Sequence, residues 1–144
     1  MTTQDAYERM RIYLTRPGAR QAKNMPGPQG VCLYETEIEG ELHRCAVGAL
    51  LAPDTIESCK HDEGATVIPL VQHYPLAARD LKDVDNLQFL AEAQIHHDDE
   101  TCWPDGKFDV QALDRLARKH GLEVVTDEVV KEQPLVPEEV PVLA

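Results

Sequence analysis

Positive charge is scarce in this 144-residue chain: 14 Lys and Arg stand against 26 Asp and Glu, a formal net charge of −12. Nucleic acid and anionic membrane are held chiefly by Lys and Arg neutralising phosphates, so direct binding to either by the whole surface is not expected. Long apolar runs are missing as well. The longest nearly uncharged apolar stretch, residues 46 to 53, is under half of the roughly 20 residues a membrane span needs. The basic-then-apolar order of a secretory signal is also lacking, because Asp5, Glu8, Arg9 and Arg11 come before any apolar stretch. A cytoplasmic setting is therefore expected, and its reducing conditions favour free thiols for Cys32, Cys45, Cys59 and Cys102 over disulfides. No complete catalytic or ligand-binding signature is present, and no cofactor is expected.

What the chain does have is an uneven charge distribution. Residues 1–24 hold five Lys or Arg against two acids, a net +3, which leaves −15 for the remainder. The length suits one globular domain over residues 1–130, with residues 1–24 as an N-terminal helix and basic arm. Residues 131–144, rich in Pro and Glu, read as an extended acidic tail.

Thr2 or Thr3 can cap a first helix in which Tyr7, Met10 and Leu14 share a stripe, and Pro17-Gly18 stops it. "VCLYETEIEGELHRC" predicts a β-hairpin with Glu39-Gly40 at the bend, so that Ile38 faces Glu41, Thr36 faces His43 and Tyr34 faces Cys45. Cys32 is then out of register for a disulfide with Cys45. "AVGALLA" predicts a short buried helix closed by Pro53, and Asp54 with Glu57 a capping-box start for the next one. "TVIPLVQHYP" sets strand-forming β-branched residues against Pro69 and Pro75, which break either assignment, and a helical turn is preferred. Asp83 or Asp85 is expected to cap a firm helix with Val84, Leu87, Leu90, Ala91 and Ile95 on its buried face. Asp109 and Gly121 bracket a last helix with Val110, Leu113, Leu116 and Ala117 inside. "LEVVTDEVV" is a possible further strand.

Cys45 is the sharpest candidate for chemistry. A thiol at a helix start beside Arg44 is drawn toward thiolate, and a His97–Asp98 pair is a conceivable base with its orienting carboxylate. Against this, cysteine is a common small buried residue, and no oxyanion-hole motif stands nearby. Cys32, Cys45, Cys59 and His61 are zinc-type donors, but their spacing lacks the close pairs of structural zinc sites. His96, His97, Asp98 and Asp99 are neighbours on a helix and cannot all face one ion, so no metal is expected. Two charged surfaces remain as binding candidates: the acidic hairpin of Glu37, Glu39 and Glu41, and the basic arm with Arg9, Arg16 and Arg20.

The stretch from Cys32 and Tyr34 through Cys45, Ala46, Val47, Gly48 and Leu50 resembles a set of small bacterial and phage or prophage proteins. Those share a cysteine and tyrosine, a polar hairpin, and a C-A-[IV]-G-x-L-I-P core. Glu63-Gly64, residues 94–98 and His120-Gly121-Leu122 follow in the same order, so the resemblance covers about residues 30–122. It implies a bacterial host cytosol and no particular activity. Together these readings predict an α+β domain, one hairpin on roughly five short helices. The expected role is that of a non-enzymatic protein-binding or phage-type accessory factor, such as a host-factor inhibitor. The alternative is a cysteine-dependent enzyme using Cys45 and His97.

Overall fold

The computed structural model describes residues 1–23, 34–60 and 66–125. Helix α1 (Thr3–Thr15) starts on a reciprocal capping box: the Thr2 hydroxyl accepts the Asp5 amide, and the Asp5 carboxylate accepts the Thr2 amide. Tyr7, Met10 and Leu14 recur at helical spacing and are buried, as their periodicity predicts. Beyond Pro17 the chain turns at Gly18, whose φ of 79° suits a residue without a Cβ.

β1 (Glu35–Ile38) and β2 (Glu41–Arg44) pair antiparallel in the predicted register, with Ile38 opposite Glu41 and Thr36 opposite His43. Glu39 and Gly40 both have positive φ, 53° and 83°. This is the two-residue turn whose twist matches that of the strands it joins. The Cys45 amide extends the ladder by donating to the Tyr34 carbonyl at 3.2 Å. Cys32, and with it the question of its pairing, lies outside the described residues.

The corner after the hairpin departs from expectation. Instead of a helix over "AVGALLA" there is a single 3-10 turn at Gly48–Leu50, after which Leu51 and Ala52 are extended. Proline at 53 disfavours the helical region for the residue before it, so the α conformation cannot run through Ala52. Pro53 in fact opens α2 (Pro53–Cys59) from its first position, where a missing N–H costs nothing. Asp54 is therefore inside the helix and does not cap it. No side chain caps α2 at Ala52, and the turn before it is held from far along the chain: Asp80 Oδ2 accepts the Ala52 amide at 2.9 Å and the Thr55 hydroxyl at 2.5 Å. Asp54 instead faces Arg79, and Glu57 faces Lys60.

The proline-interrupted segment is helical, forming α3 (Val67–His73) and α4 (Pro75–Asp80), because each proline falls in a first turn where it is tolerated. α5 (Leu87–Asp98) is capped by Asn86, whose side chain accepts the Phe89 amide, and not by Asp83 or Asp85. Asp85 is turned to Thr3, which donates its hydroxyl at 2.6 Å. The buried face of α5 is also rotated from the predicted one. Phe89, Leu90, Ala93 and His97 face inward, while Ile95 is 63% exposed. Val84 is buried ahead of the helix, and Leu87 and Ala91 are only partly covered. α6 (Val110–Lys119) has the predicted Asp109 cap and Gly121 stop, with Leu113, Leu116 and Ala117 buried and Val110 partly exposed.

The fold is thus α+β, a two-stranded hairpin with a set of short helices. One apolar cluster runs from Tyr7 and Met10 through Leu50 to Phe89, Leu90 and Leu113. Full burial of each such side chain contributes about 1.5–3 kcal/mol. α1 is the central strut, lying against the 48–50 turn, α5 and α6. Residues 122–125 are not in a strand. The rest of the suggested strand and the acidic tail lie outside the described residues. Among the described residues, no helix is long and apolar enough to cross a membrane.

Candidate functional site

The corner at Cys45 is held by its own backbone and by Arg44. The Cys45 thiol is 1% exposed and accepts the Gly48 amide at 3.2 Å. Gly48 is required there by space, since a Cβ would lie 2.2 Å from the Tyr34 carbonyl oxygen. The Arg44 guanidinium pairs with Glu35 at 3.1 Å and donates to the Leu51 carbonyl at 2.8 Å. It thus serves the turn and the hairpin. The thiol sits before a three-residue 3-10 turn, which aligns far fewer peptide dipoles than an α-helix does.

His97 is fully buried near the end of α5. Its Nε2 accepts the Ala22 amide at 3.2 Å, so the neutral ring carries its proton on Nδ1, which donates to Asp98 Oδ1 at 2.8 Å. The predicted His97–Asp98 pairing is thus present. Both ring nitrogens are engaged, and neither of these contacts is with Cys45. The two regions meet through Gln94: its Oε1 accepts the Val47 amide at 3.0 Å, and its Nε2 donates to the same Asp98 Oδ1 at 2.7 Å. His97 thus reaches the corner through a carboxylate and an amide. Its backbone carbonyl accepts two more bonds, from the Trp103 indole and the Gln21 amide, both at 2.8 Å. The Trp103 ring stands edge-on to the imidazole.

The two charged candidate surfaces meet in part, at Arg16 and Arg20. After α1 the arm folds back over the hairpin and the end of α5. Arg16 lies with its guanidinium 3.7 Å from the centre of the Tyr13 ring and donates to His43 Nδ1 at 3.1 Å. Arg20 pairs with Glu39 at 3.0 Å, and Lys23 pairs with Glu100. Arg9 belongs to α1 instead of this contact; its Nη1 is buried without a hydrogen-bond partner among the described residues. His43 is 1% exposed, and burial, with the nearby Arg16 charge, holds its imidazole below the ordinary histidine range. Glu41 Oε2 is 3.9 Å from His43 Nε2 and opposes that shift. Burial lowers the Arg16 guanidinium and raises the Tyr13 phenol.

Glu37, Glu39 and Glu41 remain exposed, and Leu42, directly across from Glu37, is 60% exposed, while Glu41 lies on the His43 face. Sequence reasoning named the acids but overlooked Leu42. Only its position in an alternating strand hinted that it would point away from the buried His43.

A second polar centre was not anticipated. Asp114 on α6 accepts the Tyr7 hydroxyl at 2.7 Å and two nitrogens of Arg11 at 3.0 and 3.2 Å, all buried. Burial and the hydrogen bond to Asp114 push the Tyr7 phenol up to about 12. This triad clamps α1 to α6 within the core and is structural in character.

Among the described residues, no group of three or more His, Cys, Asp or Glu is placed to hold a metal ion. Cys32 and His61 lie outside them, while Cys45 and Cys59 are both buried. No protein-family model, no curated protein and no solved structure matches this chain.

Proposed function

We propose that this chain is a non-enzymatic protein-binding factor of bacterial or phage type, docking through its acidic hairpin. The observation that carries the reading is Leu42, an exposed aliphatic side chain paired across the hairpin with exposed Glu37, on a hairpin whose turn and other face add exposed Glu39 and Glu41. An apolar anchor inside a charged rim is the arrangement by which protein interfaces combine burial with orientation. The occupant that fits is a basic protein surface offering an apolar pocket, steered by the net charge of −12. The resemblance of the Cys45–Leu50 corner to small bacterial and phage proteins agrees with that setting. The alternative, an enzyme built on Cys45 and His97, has less support, since the thiol is enclosed and Nε2 of His97 is occupied by the Ala22 amide.

The test is capture from bacterial lysate by the wild-type chain and by a Glu37→Gln, Glu41→Gln, Leu42→Ala variant, each at low and high salt. A partner retained by the wild type, eluted by salt and lost by the variant supports the reading. Identical captured sets overturn it.

A further inference from the structure

Two buried histidines, far apart in sequence, each accept a hydrogen bond from the same short basic arm. Arg16 Nη2 donates to His43 Nδ1, and the Ala22 amide donates to His97 Nε2. We propose that residues 16–23 are a proton-sensitive latch, closed while both imidazoles are neutral and released when they take up protons.

The chemistry follows from the acceptor role. A neutral imidazole offers one lone pair; once protonated, both its nitrogens are donors. At His97 an added proton on Nε2 would confront the Ala22 N–H, and at His43 one on Nδ1 would confront the Arg16 guanidinium. Each closed contact then becomes a clash of donors, and at His43 of two cations as well.

The neighbouring charges decide how firmly each ring resists. His43 faces Arg16 and, more distantly, Arg20 from the arm, and both oppose its protonation, while Glu41 on its own strand favours it. At His97, Asp98 on its own helix accepts from Nδ1, and the arm's Lys23 is paired with Glu100. Burial and the Arg16 charge, both relieved by opening, make His43 a ring that gains from release.

The remaining fastenings of the arm include buried Ala22, the Lys23–Glu100 pair and the contacts of Arg16 with Tyr13, none of which involves an imidazole. The Arg20–Glu39 pair is largely exposed, and exposed pairs are readily exchanged for water. The Gln21 side chain donates to the His97 carbonyl and is indifferent to pH. Opening would free Glu39 from Arg20 and uncover the imidazole of His43, so that the hairpin gains acidic surface. The latch stands on the arm contacts alone, whether or not the hairpin is a docking element.

The experiment is residue-resolved amide hydrogen exchange by NMR on the full chain, from about pH 8 to about pH 5, a range spanning ordinary imidazole titration. The ring nitrogen shifts of His43 and His97 are followed in the same samples. Protection at Ala22, corrected for intrinsic exchange, should fall about tenfold or more as the rings protonate, a loss expected for a buried hydrogen bond with its acceptor removed. Leu113 in α6 should keep its protection. In a His43→Asn, His97→Gln variant, whose amide oxygens replace the two acceptor nitrogens without titrating, Ala22 protection should stay level. The proposal is overturned if Ala22 protection in the wild type is unchanged while both rings protonate. It is equally overturned if the rings stay neutral until Leu113 loses protection in parallel, or if a folded variant loses Ala22 protection as the wild type does.

Discussion

The α-hydrogen side of Gly48 faces the carbonyl oxygen of Tyr34 so closely that a Cβ would stand 2.2 Å from it. The contact is with backbone, at the point where the Cys45 amide also holds the Tyr34 carbonyl. The carbonyl therefore cannot swing away without breaking the end of the hairpin. Gly48→Ala is expected to cost about 3 kcal/mol or more, at the upper end of overpacking penalties. Urea unfolding checks this, and a midpoint within error of the wild type would show that the corner has slack.

Replacing Asp114 should be among the most damaging single changes, because it leaves the Arg11 guanidinium buried without its carboxylate. Asp114→Ala is expected to lose about 3–5 kcal/mol, the usual penalty for orphaning a buried charge. Tyr7→Phe keeps the Arg11–Asp114 pair and removes one hydrogen bond, so about 1–2 kcal/mol is expected. Thermal unfolding of both variants should preserve that order; equal losses would mean that the hydroxyl, and not the ion pair, organises the site.

His43 should make the protein less stable as pH falls. Its folded imidazole titrates below the ordinary value because of burial and Arg16, so the unfolded chain binds the proton first. By linkage, stability is level above about pH 6.5 and declines below it until the folded ring also protonates. Urea midpoints measured from about pH 7.5 to about pH 5 should fall for the wild type and fall less for His43→Asn. Parallel curves would assign the acid sensitivity to other groups.

Glu92 acts in a separate and lower window. Hydrogen bonds from Lys119, Gln88 and His120 bring its carboxyl from 4.5 down to about 2. A depressed carboxylate stabilises the fold above its unfolded value and loses that contribution as pH drops through the folded one. The join between α5 and α6 should therefore weaken between about pH 4.5 and about pH 2. Glu92→Gln should remove this part of the pH dependence, visible as a flatter melting-temperature curve in that window, and should leave the His43 window unchanged.

How much was legible in the chain depends on the reach of each signal. The Thr2 cap, the Tyr7–Met10–Leu14 stripe, the Glu39-Gly40 turn with its register, and the Asp109 and Gly121 limits of α6 all act over a few neighbouring residues. The start of α2 departs from the local signal because Pro53 takes the first position and the Ala52 amide is held by Asp80, 28 residues beyond it. α5 was rotated by partners rather than by composition. His97 can be buried only because Ala22, Asp98, Gln21 and Trp103 satisfy its polar atoms, and Phe89 turns inward against the Tyr7 and His120 rings. The candidate site shows the same division: the acidic hairpin was visible residue by residue, but the arm lying across it was not.

The amino-acid sequence by itself determined the class of the fold, the hairpin and its register, and the separation of a basic arm from an acidic body. Backbone geometry, helical period and local capping are enough for these. Only the tertiary structure decided which polar groups are buried and where the arm lies. The cost of burying a charge or an imidazole is met by partners as distant as the 75 residues from Ala22 to His97 and the 107 from Tyr7 to Asp114, and short-range pattern carries no trace of them.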